Sequence, residues 1–243
     1  MDHHPVVIEL ANISFAYPAC QRPVVNDLDL RLRRGDQLGL IGSNGSGKTT
    51  LFHIIMGLLK PTAGTIEFMG NAVRTEKDFQ EVRKHVGLLF QDADDQLFSP
   101  TVLEDVAFGP LNLGKPRDQA ISIAQRTLDS LGLNGFEDRI TYKLSGGEKR
   151  LVSLATVLAM EPEVLLLDEP TTGLDETTEK RLVEILKDLD MTRLLVSHNL
   201  DFLAQTTHQI TAIVDGKLSW DDAIIPHTHV HTHKHGKHAH QHR

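Results

Sequence analysis

Gly42-Ser43-Asn44-Gly45-Ser46-Gly47-Lys48-Thr49 decides the fold. It fits G-x-x-x-x-G-K-[ST] at every fixed position. Gln37 to Ile41 before it reads as a short buried strand, and Lys48 to Leu58 after it as a helix. The glycines let the backbone wrap an anion without Cβ clashes. The amides then point inward, and the helix N-terminus adds positive potential. Lys48 is placed to reach β- and γ-phosphates, and the Thr49 hydroxyl to meet Mg²⁺. A plain glycine turn needs neither side chain at those positions.

The chain has 243 residues and 40% hydrophobic content, enough for one large domain or two lobes of one. The single cysteine, Cys20, forms no internal disulfide and fits a reducing compartment. Met1 to Pro5 lacks the basic and apolar regions of a signal peptide. No apolar run approaches the ~18 residues needed to span a bilayer. A cytoplasmic protein is expected, with any membrane role borne by a partner. The formal net charge is −8. The end segment holds Lys234, Lys237 and Arg243 and no acid, so the rest is more acidic than the whole. That balance argues against general nucleic-acid binding.

Val6 to Leu10 and Ile13 to Tyr17 read as two strands. Leu28, Leu30 and Leu32 alternate with Asp29, Arg31 and Arg33, the period of a half-buried strand. Gly64 to Phe68 and Val86 to Phe90 are further strands, the second ending on Gln91. An acidic loop, Asp92 to Asp95, follows. Helical pieces broken at Gly109-Pro110 and Gly114-Lys115-Pro116 run to about Leu131. This section, residues 92–160, reads as a helical lobe inserted in an α/β core. Ser145 and Glu148 form a capping box for the next helix. Leu151, Leu154, Ala155 and Leu158 mark one face of it.

Val164 to Leu167 is an apolar run of the kind buried in parallel sheets, and it ends in Asp168-Glu169. Leu182, Ile185, Leu186 and Leu189 mark another helix. Leu194 to Val196 leads to Ser197-His198, and Ile210 to Val214 and Lys217 to Trp220 close the fold. Such alternation implies a right-handed, mostly parallel sheet, with ligands at the strand carboxyl ends. The loop, Gln91, Asp168, Glu169 and His198 all follow strand ends. Asp168 suits a Mg²⁺ shell, and Glu169 can deprotonate a water. His198 is a candidate γ-phosphate sensor. Tyr17 reads equally as a packing residue, and His53 and His85 as packing or surface residues.

Taken in order, Tyr17, Gly42 to Thr49, Gln91, Leu144 to Glu148, Val164 to Glu169, Gly173-Leu174-Asp175 and His198 resemble the nucleotide-binding subunit of an ATP-binding cassette (ABC) transporter. The resemblance covers residues 6–222. It implies a P-loop NTPase α/β core with a β-rich N-terminal subdomain and an inserted helical subdomain. It implies ATP hydrolysis with ATP and Mg²⁺. Tyr17 would stack on adenine. Gly42, Ser43, Asn44, Gly45, Ser46, Gly47, Lys48, Thr49 and Thr50 would hold the phosphates, and Thr49, Gln91 and Asp168 the Mg²⁺. Glu169 would be the base, with Gln91 and His198 catalytic. In a head-to-tail pair, expected to be a homodimer, Ser145 and Gly147 would contact the other subunit's nucleotide, and Asp175 would communicate between the two. Thr172-Gly173-Leu174-Asp175 stands where many relatives have Ser-Ala-Leu-Asp, and Glu148 where many have Gln. Neither change removes a needed group.

Phe90 to Gly109-Pro110 more narrowly resembles ATPase subunits of energy-coupling-factor transporters, which import vitamins and transition metals. That implies integral membrane scaffold and substrate-binding subunits, and a peripheral place at the cytoplasmic face of the cell membrane. Residues 226–243 are expected to be a disordered tail crowded with His227, His229, His231, His233, His235, His238, His240 and His242. Imidazole suits Ni²⁺, Co²⁺, Cu²⁺ and Zn²⁺, so these are candidate metal ligands, and together with the energy-coupling-factor resemblance they make nickel or cobalt the expected cargo. An interrupted run is unlike an engineered tag. A vitamin importer of the same class and a nucleotide-switched metal storage or chaperone protein are the alternatives. A cassette acting on ribosomes or DNA predicts a second cassette or a long inserted coiled coil, and the sequence has neither.

Overall fold

The computed structural model describes residues 4–18 and 22–224. Cys20 and the tail histidines from His227 to His242 lie outside them.

The elements follow in chain order as β1 (Val6–Phe15), β2 (Val25–Arg33), β3 (Gln37–Ile41), α1 (Lys48–Ile55), β4 (Ala63–Phe68), β5 (Asn71–Val73), α2 (Glu76–His85), β6 (Val86–Leu89), α3 (Val102–Asn112), α4 (Arg117–Ser130), α5 (Gly146–Leu158), β7 (Val164–Asp168), α6 (Glu176–Asp188), β8 (Thr192–Val196), α7 (Leu200–Thr206), β9 (Gln209–Val214) and β10 (Lys217–Ile224). One sheet has the order β2-β1-β4-β5, and all its pairings are antiparallel. The other runs β10-β9-β3-β8-β7-β6, parallel from β9 to β6 with β10 antiparallel at its edge. β3, β7 and β8 stand side by side, so their carboxyl ends bring residues 42, 169 and 197 to one edge.

The periodicities explain the layers. Leu28, Leu30 and Leu32 of β2 are buried while Asp27, Asp29 and Arg31 are exposed, as alternation demands. Every residue of β7 is buried, as a central parallel strand covered on both faces requires. Leu51, Phe52, Ile54 and Ile55 of α1 join the core shared with the antiparallel sheet. A separate core holds Val102, Val106, Ala120, Ala124, Leu128, Leu151, Val152 and Ala155, from α3, α4 and α5.

Several expected boundaries change. Residues 6–10 and 13–17 are one strand, ending at Phe15, rather than two. Asn12 takes a left-handed φ of 54°, its N–H donating to Asp29 Oδ1 at 2.8 Å. The ladder slips there and resumes at Ile13 opposite Leu28, a bulge rather than a turn. α1 stops at Ile55, short of Leu58, because Gly57 turns left-handed at φ 70° and leaves a place for the Phe79 ring, 2.3 Å from where a Cβ would stand. Gly109-Pro110 does not break α3. Pro110 removes one helical N–H, but Val102, Val106 and Pro110 are buried, and a Cβ on Gly109 would meet Met160 Cγ at 2.5 Å. Packing holds the helix through the proline, and it ends before Gly114 at φ 84°. α5 is buried on more than the one expected face. Leu151, Val152 and Ala155 enter the helical core, while Leu154 and Val157 enter the core beneath the parallel sheet.

α5 thus lies between two cores and fixes one against the other. Gly87 on β6 permits its approach, since a Cβ there would stand 2.3 Å from Val157 Cγ1. Gly87→Val is expected to cost about 1–3 kcal/mol by overpacking. A urea midpoint lowered relative to wild type checks it, and an unchanged midpoint refutes the contact.

Candidate functional site

Local structure builds the phosphate loop. Gly45 and Gly47 have φ of 79° and 103°. A Cβ at Gly47 would stand 2.7 Å from the Val24 carbonyl, and one at Gly42 2.6 Å from Ser46 Oγ and 2.9 Å from the Ile213 carbonyl. Only glycine fits both close approaches. Gly47 is the N-cap of α1, and no side chain caps it. The first amides of α1 therefore remain available to an anion. Lys48 is buried and donates from Nζ to the carbonyls of Gly42 at 2.8 Å and Ser43 at 3.0 Å. Burial lowers its pKa, while Glu169 and Asp168 oppose that shift.

One cleft of about 610 Å³ is lined by Tyr17, Val24, Asn44, Gly45, Gly47, Lys48, Thr49, Thr50, Gln91, Asp168, Glu169, Thr172 and His198. Tyr17 reaches it from beyond β1, its hydroxyl 3.2 Å from Thr50 Oγ1 and its ring edge-on to Phe15 at 4.9 Å. A second cleft of about 820 Å³ shares Thr49, Gln91, Asp168 and Thr172 and extends past His53 and Asp92 to Gly146, Lys149 and Arg150. Ser43 and Ser46 face a third hollow behind the loop, with Arg22, Asp215 and Gly216.

The two carboxylates differ in surroundings. Asp168 is buried. It accepts a hydrogen bond from the Thr49 side chain, yet burial dominates and raises its pKa. Its Oδ1 is buried with no hydrogen-bond partner among the described residues. Such an orphan beside the Thr49 hydroxyl and the Gln91 amide makes an all-oxygen donor set, which fits a hard cation such as Mg²⁺. Glu169 has a left-handed φ of 45°, the kind of backbone strain that clusters at functional sites. His198 N–H donates to its Oε2 at 3.3 Å, and His198 Nε2 lies 3.2 Å from Oε1. Burial raises the Glu169 pKa, and the His198 charge opposes the rise. The pair can accept a proton from a water and return it.

Beyond the phosphate loop, the expected residues Ser145, Gly147 and Asp175 lie outside both clefts. Ser145 N-caps α5, with Glu148 completing the capping box. Gly147 packs on α6, where a Cβ would come 3.0 Å from Thr178 Oγ1. Asp175 N-caps α6, accepting from the Thr178 amide at 2.9 Å, and that bond holds its carboxyl below the usual range. Thr172, Gly173 and His53 enter the clefts although sequence reading gave them no site role. Thr172 and Gly173 belong to the stretch with Asp175 that carries the resemblance, and His53 lies one helical turn beyond Thr49 on α1.

Residues 25–172 match the family model described as ABC transporter. The chain belongs to the ABC transporter family.

The chain is 49% identical over 236 residues to a putative ABC transporter ATP-binding protein of Nitratidesulfovibrio vulgaris, covering 97% of this chain and 86% of that one. It is 42% identical over 216 residues to the energy-coupling factor transporter ATP-binding protein EcfA of Methanothermobacter thermautotrophicus, covering 87% and 69%. Among solved structures, CbiO1 from Clostridium perfringens, part of the ABC transporter complex CbiONQ, superposes with a TM-score of 0.80 at 32% identity, covering 92% and 90%. A dimeric post-hydrolysis state of the ATP-binding cassette MJ0796, bound to ADP and Pi, gives 0.80 at 25% identity, covering 91% and 100%. As an ABC ATPase, the chain binds and hydrolyses ATP.

The raised Asp168 pKa has a consequence for stability. Its folded value lies above the unfolded one, so the folded chain holds a proton longer, and stability falls as pH rises from the unfolded value through the folded one. Asp168→Asn removes that penalty. At pH 7, without nucleotide, it is expected to melt about 2–4 °C higher, the shift that ~1 kcal/mol gives in a chain of this size. The gain shrinks as pH falls toward 4. A lower melting temperature at pH 7 refutes it.

Proposed function

We propose that this ABC ATPase powers an energy-coupling-factor importer of nickel or cobalt, acting as a head-to-tail pair docked on a membrane scaffold at the cytoplasmic face. The observation that carries the reading is a divided site. The phosphate loop, Gln91, Asp168, Glu169 and His198 line one cleft, whereas Ser145 and Gly147 are absent from its lining. A second copy supplies them at the opposite wall. The likeness to a dimeric cassette bound to ADP and Pi supports that assembly.

The loop amides and Lys48 bind the β- and γ-phosphates, and Tyr17 stacks on adenine. Thr49, Gln91 and Asp168 would hold Mg²⁺, which when bound would supply charge neutralisation at the phosphate oxygens. Glu169 takes a proton from the water that attacks the γ-phosphorus. The bond to the β-phosphate oxygen breaks, leaving ADP and phosphate. Burial keeps Glu169 a stronger base than a free carboxylate, and His198 orients it. Asp175 fixes the start of α6, on which Gly147 packs.

Phe98 is 65% exposed and meets the Phe108 ring edge-on at 4.7 Å, with Leu111 also exposed. These apolar groups suit docking to a membrane subunit, as the relative named EcfA and the CbiONQ complex suggest for this chain. The cargo rests on the histidines from His227 to His242, whose neutral imidazoles bind late first-row divalent ions.

Glu169→Gln is expected to keep ATP affinity and cut turnover by ~10²–10⁴-fold, the usual worth of a general base. Cells carrying it are expected to lose nickel or cobalt selectively across a panel of Mn, Fe, Co, Ni, Cu and Zn. Unchanged accumulation of every metal would reject the metal cargo and favour a vitamin. The paired site makes a separate forecast. Lys48→Ala and Gly147→Asp are each inactive alone, but mixed pairs contain one site with both parts intact. Turnover recovered on mixing supports the head-to-tail pair, and none on mixing rejects it.

A further inference from the structure

The turn that carries Gln91 is held at both ends by α5. Arg150 is buried at 3% exposure. It donates from Nη1 to the Phe90 carbonyl at 2.6 Å and from Nη2 to the Gln91 carbonyl. Gln96 holds the other end. Its Oε1 accepts from the Phe90 N–H at 3.2 Å, and its Nε2 donates to the Ser153 carbonyl at 2.7 Å and to Thr156 Oγ1 at 2.8 Å. Lys149 Nζ reaches Asp94 Oδ1 at 2.5 Å. These α5 positions recur at the spacing of one helix face.

A buried guanidinium is costly unless its donors are satisfied. Among the described residues Arg150 forms no ion pair, and its hydrogen bonds go to main-chain carbonyls of this turn. It lines the cleft with Thr49, Gln91 and Asp168. Its placement serves the turn more than the packing.

We propose that Arg150, assisted by Gln96, is a positioning residue for Gln91. It makes Gln91 part of the rigid body that begins with Ser145-Gly146-Gly147, so a displacement of α5 moves Gln91 relative to Asp168. This rests on the reading that Gln91 meets the reacting groups.

The test is a double-mutant cycle on ATP turnover with Arg150→Met, which keeps the alkyl stem, and Gln91→Ala. Misplacing one group at a reacting centre supports an expected loss in kcat of about ten-fold for Arg150→Met, with KM for ATP within about two-fold. In the Gln91→Ala background the same change is expected to cost less than about two-fold, because coupled residues are non-additive. A merely structural role predicts the same loss in both backgrounds, and that result, or a loss confined to KM, overturns the proposal. If Arg150→Met does not fold, Gln96→Met enters the same cycle, and additivity there overturns it equally. Glu169→Gln, measured alongside, separates the two readings. Wild-type turnover in that variant beside a non-additive cycle rejects the base and keeps the clamp. An inactive Glu169→Gln beside an additive cycle rejects the clamp alone.

Discussion

Two carboxylates buried at the end of a fully covered strand are the constraint on which the site depends. Asp168 and Glu169 lose water where β7 ends, and burial raises the pKa of both. What makes them tolerable is local: Lys48 attracts both charges, the Thr49 side chain bonds Asp168, and His198 attends Glu169. Compensation is incomplete, since Asp168 Oδ1 keeps no protein partner among the described residues. Stability is thus sacrificed where a bound cation and phosphate would restore it. That is the usual logic of a site selected for ligand rather than for the empty state.

The same economy runs through α5. A helix buried against two cores cannot shift without disturbing both, because close-packed interiors transmit strain. Its first turn is capped by Ser145 and Glu148 and carries Gly146, which lines the larger cleft, and Gly147, which packs on Thr178 of α6. Its middle holds the Gln91 turn through Arg150, Ser153 and Thr156. If the chain pairs as proposed, the helix would link a surface for the other subunit to the inner edge of the cleft. Exposed Phe98 and Phe108 follow that turn in the chain, so a partner docked there as proposed would act on the same body.

Much of this was legible in residue order. The fixed positions of Gly42 to Thr49 required a strand before and a helix after, and both exist. The all-apolar run of β7 required burial on both faces. The alternation in β2 required one buried face. The misreadings share a cause. Asn12 looked like a break and proved a bulge because Asp29, on the neighbouring strand, bonds its amide. Gly109-Pro110 looked like a helix end because local propensity disfavours both residues, whereas Met160 and the core around Val106 decide otherwise. α7 spans only Leu200 to Thr206, too short for periodicity to reveal.

By itself the sequence determined the phosphate loop, the carboxylates at a strand end and the α/β alternation, because those depend on spacing along one chain and on backbone chemistry. Only the tertiary structure decided that Arg150 holds Gln91, that α5 serves two cores, and that Ser145 and Gly147 stand outside their own chain's cleft. These are relations between residues distant in sequence. No local pattern encodes which buried carbonyl a guanidinium will find.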